Sequence, residues 1–183
     1  MKGTLLSSEI AEPYAQALMS IAQSQNLTED FGQDIRDLDA LLDESAELRD
    51  FVTNPIIQDS DKKAVLRNIM GSGAHALLVN FLMLLVDKRR IVFLQEVLAQ
   101  YLALLRKLNQ TVLAEVITAR ALTSEQEQEI GHKVRVMTSA REAELKVSVD
   151  PSILGGIIIR VGSKVVDASL QGQLRQIGMS LNA

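Results

Sequence analysis

The sequence predicts an α+β protein of two domains, an N-terminal six-helix bundle over residues 1–109 and a small β-α-β-β-β-α domain over residues 110–183. Three observations carry this expectation. Apolar residues recur every three or four positions through the first hundred residues, the period of a helix with one buried face. Near Asn109-Gln110 the pattern changes to β-branched runs and period-two alternation. Gly162-Ser163 between two short runs reads as the turn of a hairpin.

Ile10, Tyr14, Ala17, Leu18 and Ile21 share one face of the first predicted helix. Asn26 to Thr28 form a break, and Thr28 is expected to cap a second helix bearing Phe31, Ile35, Leu38 and Leu42. Ser45 opens a short third helix with Leu48, Phe51 and Val52. Asn54-Pro55 stops it, because a residue before proline is pushed out of the helical region. The fourth helix is expected to start at Ser60, to carry Val65, Leu66, Ile69 and Met70, and to end at Gly71. The fifth, about residues 74–87, is apolar nearly all round and is expected to be the buried centre of the bundle. Arg89 and Arg90 mark a turn. The sixth helix carries Leu94, Val97, Leu98, Tyr101, Leu102, Leu105 and Leu108.

Beyond Asn109, Thr111 to Thr118 reads as a strand, and Thr123-Ser124 followed by Glu125, Glu127 and Glu129 opens a helix running to about Ala140. Leu145, Val147 and Val149 alternate with polar residues in a half-buried strand that Pro151 interrupts. Residues 156–161 form an apolar strand, Gly162-Ser163 a tight turn, and residues 164–167 its hairpin partner. A last helix from Ser169 carries Leu170, Leu174, Ile177 and Leu181.

Composition narrows the function. The chain has 183 residues, 47% hydrophobic and 23% charged, enough apolar material for a real core. It has no cysteine, which removes disulfides and thiolate metal sites. The formal net charge of −4 argues against a nucleic-acid binder. Acids dominate from Glu9 to Asp59 and bases from Lys62 to Lys107. No basic-then-apolar targeting segment is visible at the start. The longest apolar run, Leu77 to Val86, is too short to span a bilayer, which needs about 20 residues. No direct membrane insertion is expected.

The usual catalytic constellations are missing. His75 and His132 fall in predicted helices with no second ligand at metal spacing, and solvated or structural roles fit them better. No G-x-S-x-G elbow is present. Gly156 to Lys164 faintly resembles a phosphate loop, but the spacing is wrong and the loop joins two strands. Glu127 and Glu129, two apart on a helix, do not face each other. Two small domains without catalytic apparatus point to an adaptor or structural subunit. The apolar first and fifth helices can form a groove for a partner helix, with plain core packing as the competing reading.

Val147, Asp150, Leu154, Gly155, Gly156, Ile158, Arg160, Gly162, Val166, Asp167, Ser169 and Leu170 together resemble the signature of the ATP synthase delta subunit family, called the oligomycin-sensitivity-conferring protein in mitochondria. Tyr14-Ala15, Ala17-Leu18, Phe51, Asn54-Pro55 and Asn80 through Arg90 extend the resemblance over nearly the whole chain. Asp87-Lys88-Arg89-Arg90 departs from it, where many members have a small or Gly-containing turn. Within the signature, Gly155, Gly156, Arg160, Gly162, Asp167 and Ser169 are expected to be architectural, the glycines serving turns and the Asp167/Ser169 pair a helix start.

The resemblance implies a non-catalytic connector that joins the catalytic head to the peripheral stalk and resists rotor torque. It implies no catalytic residue, metal or cofactor. The N-terminal bundle is expected to grip the N-terminal helix of an ATP synthase α subunit. The residues that match the family's groove are Tyr14, Ala17, Leu18 and Ile21 with Asn80, Met83, Leu84, Asp87 and Arg90. The second domain is expected to meet the C-terminal ends of b-type stalk subunits. The expected location is peripheral to the energy-coupling membrane, plasma or thylakoid, on its cytoplasmic or stromal side, with a cyanobacterial or plastid origin. Two other readings stay open here: a generic helix-binding adaptor outside the synthase, and a small enzyme with an unfamiliar site.

Overall fold

The structure is a computed structural model that describes the backbone of residues 2–71 and 73–181 and the side chains of residues 9–71, 73–175 and 179. The chain divides into two compact units, Met1–Leu105 and Arg106–Ala183. The division falls inside the last helix of the helical part, a little before the change of pattern at Asn109.

The first unit is built from helices α1 (Lys2–Ser24), α2 (Thr28–Glu44), α3 (Ala46–Thr53), α4 (Asp59–Met70), α5 (Ala76–Asp87) and α6 (Leu94–Asn109), with a 3-10 turn at Ile91–Phe93 before α6. The second stripe of the sequence is the core of this unit: Phe31, Ile35, Leu38 and Leu42 are buried, as are Val97, Leu98, Tyr101 and Leu105 of α6. Leu108 is exposed, since it lies beyond the last residue of the helical cluster. Two polar contacts fix the packing. The Tyr101 hydroxyl donates to the Thr28 carbonyl at 3.1 Å, tying α6 to the start of α2. The His75 amide donates to Asp34 Oδ2 at 3.3 Å, tying the start of α5 to α2.

Helix starts follow the capping logic in part. Ser45 caps α3 by accepting from the Leu48 amide at 3.1 Å, and the helix stops at Asn54 before Pro55. Thr28 does not cap α2. It is the first helical residue, after Asn26 turns the chain at φ 57°, and the acids Glu29 and Asp30 meet the positive helix end instead. α4 likewise begins at Asp59, one residue before the expected Ser60, with Asp59 and Asp61 in its first turn. His75 stands outside α5 as its cap, its Nδ1 accepting from the Leu77 amide at 3.2 Å.

One expectation fails outright. α5 is not buried all round. Leu78, Phe81, Leu82, Leu85 and Val86 face the core, but Leu77 and Leu84 face outward. The two polar residues of α5, Asn80 and Asp87, lie on that outward side with them.

The second unit contains β1 (Thr111–Thr118), α7 (Ser124–Thr138), β2 (Glu142–Val149), a 3-10 turn (Pro151–Ile153), β3 (Ile157–Val161), β4 (Lys164–Asp167) and α8 (Leu170–Leu181). The four strands form one mixed sheet in the order β2-β1-β3-β4. β1 and β2 are parallel, as their crossover through α7 requires, with Thr111 opposite Glu142 and Thr118 opposite Val149. β1 pairs antiparallel with β3, and β3 with β4 through the Gly162-Ser163 turn. Thr123 and Gln126 form a reciprocal capping box at the start of α7, the amide of each bonded to the side chain of the other. Ala114, Val116, Ile130, Val134 and Ile159 make the small core between sheet and helix. The side chains of Ile177 and Leu181, assigned to the apolar face of α8, lie outside the described residues.

Candidate functional site: the α1 and α5 faces

The apolar period of α1 divides its residues between two sides. Ala11, Ala15, Leu18, Met19 and Ala22 line the core. Tyr14 is half-buried against them, while Ala17 is exposed and Ile21 is 40% exposed. On α5, Asn80, Asp87 and Leu84 are exposed, Leu84 by 44%. Both helices pack on the same 3-10 turn, Ile91–Phe93, so they flank it. Arg90, the residue before that turn, is exposed.

Two of the residues expected in the groove are corrected. Leu18 is 0% exposed and Met83 7%. Both belong to the buried cluster, where they cannot touch a partner without the helices moving apart. Leu18 follows the exposed Ala17 and Met83 precedes the exposed Leu84, each by one position, a rotation of about 100° around a helix of 3.6 residues per turn. One residue is added. Leu77 is exposed and lies three positions before Asn80 and seven before Leu84, so 77, 80, 84 and 87 form one stripe. That spacing was present in the sequence, where the polar Asn80 and Asp87 mark the outward side and Leu77 and Leu84 share it. At the end of the stripe the Asp87 carboxylate pairs with the Lys63 ammonium of α4.

The signature residues of the second unit do structural work. Gly156 has φ +78°, and a Cβ there would stand 2.2 Å from the Ala168 carbonyl oxygen, so only glycine fits. At Gly155 an added Cβ would meet the Leu170 side chain. Gly162 holds φ +56° in the hairpin turn with open space around it. Arg160 on β3 stands opposite Glu115 on β1. Asp167 Oδ1 accepts from the Ser169 hydroxyl at 2.6 Å and from its amide at 2.9 Å. The Ser169 oxygen in turn accepts from the Gly172 amide at 3.0 Å, so the buried Ser169 caps α8. The Ser169 hydroxyl, then its amide, hold the Asp167 carboxyl below the usual carboxylate range, with a smaller contribution from Arg175.

The other perturbed groups are structural too. Burial, and then the charge of Glu29, push the Tyr101 phenol up. Glu129 is held down by its hydrogen bond and ion pair with Lys133, one turn along α7 at 2.7 Å. Asp150 is held down by Ser152, whose amide it accepts at 2.9 Å. Among the described residues no three His, Cys, Asp or Glu side chains gather where they could hold a metal ion. No described helix is long and apolar enough to cross a membrane.

The profile of the family described as "ATP synthase delta (OSCP) subunit" matches residues 10–181. The chain belongs to the ATP synthase delta (OSCP) subunit family. Relatives named ATP synthase subunit delta include that of Gloeothece citriformis, 58% identical over 99% of this chain and 98% of its own length. That of Synechocystis sp. is 55% identical with the same coverage. Among solved structures, a chain of the Toxoplasma gondii mitochondrial ATP synthase hexamer superposes with a TM-score of 0.73 at 26% identity, covering 94% of this chain and 97% of its own. As a delta (OSCP) subunit, the protein is a non-catalytic connector subunit of the membrane-bound ATP synthase, a mixed α+β chain with helices preceding a four-stranded sheet.

Proposed function

We propose that this delta (OSCP) subunit clamps the head of the synthase through its six-helix bundle and the peripheral stalk through its β-α-β-β-β-α domain. The bundle receives the N-terminal amphipathic helix of an α subunit on the outward stripes of α1 and α5. Tyr14, Ala17 and Ile21 supply one wall, and Leu77, Asn80 and Leu84 the other. The second domain meets the C-terminal ends of b-type stalk subunits. The protein then sits peripheral to the energy-coupling membrane, on the cytoplasmic or stromal side, and resists rotor torque.

The observation that carries this reading is the exposure of apolar side chains on both helices. Ile21, Leu77 and Leu84 stand out from an otherwise well-filled helical core. A partner helix removes such surface from water at about 25 cal/mol per Å² of apolar area. Ala17 between them lets a helix approach closely, and Tyr14 offers an apolar body with a polar tip.

Calorimetry with an α-subunit N-terminal peptide tests it. Ala17 is exposed, so Ala17→Trp folds normally and obstructs the partner, weakening binding by at least about tenfold, or 1.4 kcal/mol. Asp87→Ala breaks only an exposed pair with Lys63 and changes affinity by about 0–1 kcal/mol. A folded Ala17→Trp that binds like the parent moves the groove elsewhere.

A further inference from the structure

The helical unit holds a second concavity that the α1 and α5 stripes do not use. It is a cavity of about 400 Å³ bounded by the loop Pro55–Gln58, the first turn of α4 and the turn from Arg89 to Val92. Its floor includes Lys62, which is only 4% exposed. A buried ammonium normally has a partner. Among the described residues none hydrogen-bonds or ion-pairs with the Lys62 ammonium. No described buried side-chain nitrogen or oxygen is left without a partner either, so the ammonium keeps a contact with water. Lys62 lines the cavity.

Two further features point the same way. Arg89 lines the cavity from the opposite element, held at φ 55° and without an ion pair among the described residues. The N-terminus of α4 lacks a side-chain cap, and its first backbone bonds run from Asp61 and Lys62 to the Gln58 carbonyl. The amides of Asp59 and Ser60 therefore have no intrahelical acceptor. Asp59 brings one negative charge to the same wall. Lys62 and Arg89 against Asp59 leave the cavity with a net charge of about +1, suited to one monoanion. Apart from Pro55 and Gln58, the rest of the lining is branched and aliphatic. Ile57, Val86 and Ile91 lie deeper, and Ile56 stands 88% exposed at the rim beside the exposed Val92. A free inorganic anion gains nothing from such a rim, whereas a peptide with aliphatic neighbours does.

We propose that this cavity docks a glutamate or aspartate side chain carried on an aliphatic segment of a partner polypeptide, with Lys62 and Arg89 binding the carboxylate and Ile56 and Val92 the flanking residues. The site is separate from the α1 and α5 stripes and stands or falls independently of them. Desolvating a single carboxylate against a buried lysine makes the contact specific for charge, since the isosteric amide brings no compensation for the ammonium.

Amide-resolved NMR of the full chain tests this with two capped probes, Ac-Leu-Glu-Leu-amide and Ac-Leu-Gln-Leu-amide, and with sodium phosphate. The glutamate probe is expected to shift the Asp59, Ser60, Lys62 and Arg89 amides saturably, with the glutamine probe weaker by about tenfold. Lys62→Met is expected to abolish the shifts, and Arg89→Gln, at an exposed turn, to weaken them with the fold intact. If Lys62→Met fails to fold, Arg89→Gln decides alone. Equal binding of the two probes, no shifts with either, unchanged binding by Arg89→Gln, or shifts with phosphate but none with the glutamate probe each overturn the proposal.

Discussion

The two units solve the problem of burying apolar surface to different degrees. In the helical unit Phe31, Ile35, Leu38, Leu82 and Leu98 are sealed within one continuous cluster to which all six helices contribute. In the second unit the sealed cluster is Ala114, Val116, Ile130, Val134 and Ile159, while Leu154, Val165, Leu170, Leu174 and Met179 stand exposed. A small sheet with one helix on it has little interior to offer. The difference teaches where each unit's stability comes from. Packing holds the helical unit. Turn geometry, capping and strand pairing carry a larger share in the second.

The contrast can be broken first in the core. Phe31→Ala removes a ring that is sealed and lies tilted against His75 at 5.6 Å between centroids, and is expected to cost about 3–5 kcal/mol in denaturant unfolding of the helical unit. Leu174→Ala in α8 is expected to stay within about 0.5 kcal/mol, as at an ordinary exposed position. Similar costs for the two would dissolve the distinction.

The next effects belong to turns. Gly156→Ala brings positive-φ strain together with a backbone clash against Ala168, and should destabilise the second unit by about 1–3 kcal/mol. Gly162→Ala has the same sign of φ but free space, so about 1 kcal/mol is expected. Thermal unfolding of both variants ranks them, and a larger loss at Gly162 would show that the clash relaxes at no cost.

A smaller effect comes from pH. Asp167 has its folded pKa depressed by Ser169, so its contribution is present above the unfolded aspartate value and is lost as pH falls through the folded one. Acid titration of amide exchange in α8 should therefore show loosening below about pH 4, the ordinary aspartate range. In Asp167→Asn that acid-dependent step should be absent. An unchanged profile would assign the loosening to other carboxyls.

The smallest change is expected from the largest excision. A fragment ending at Asn109 keeps every residue of the helical cluster, so circular dichroism should report a folded helical domain with cooperative unfolding. An unfolded fragment would mean that its packing needs residues beyond Asn109.

How much of this was visible beforehand depends on how a residue's role is encoded. Phe31, Ile35, Leu38 and Leu42 announce their burial by spacing, and so do Val97, Leu98, Tyr101 and Leu105. Ser45 and Thr123 announce helix starts, because a capping oxygen acts on amides two or three residues away. Thr28 has the same chemistry and does not cap, since the chain reverses at Asn26 and helix α2 already includes it. For the candidate site, Tyr14, Ala17, Ile21, Asn80, Leu84, Asp87 and Arg90 have exposed or half-buried positions, whereas Leu18 and Met83 do not. Leu18 and Met83 each sit one position from an exposed residue, Ala17 on α1 and Leu84 on α5, and among neighbouring apolar residues spacing alone leaves the edge of the buried face open.

The sequence by itself determined the order of elements, the change from helices to a sheet near Asn109, and the positions of Gly156, Gly162 and Ser169 at bends and caps. These are local properties, governed by side chains within about four residues of one another along the chain. Only the tertiary structure decided that the apolar Leu77 and Leu84 stay outside with Asn80, and that Lys62 is buried beside a cavity shared with Arg89. Those outcomes depend on which surfaces meet across distant segments, such as α4 against α5, and a helix's own period cannot say which neighbour will arrive on which face.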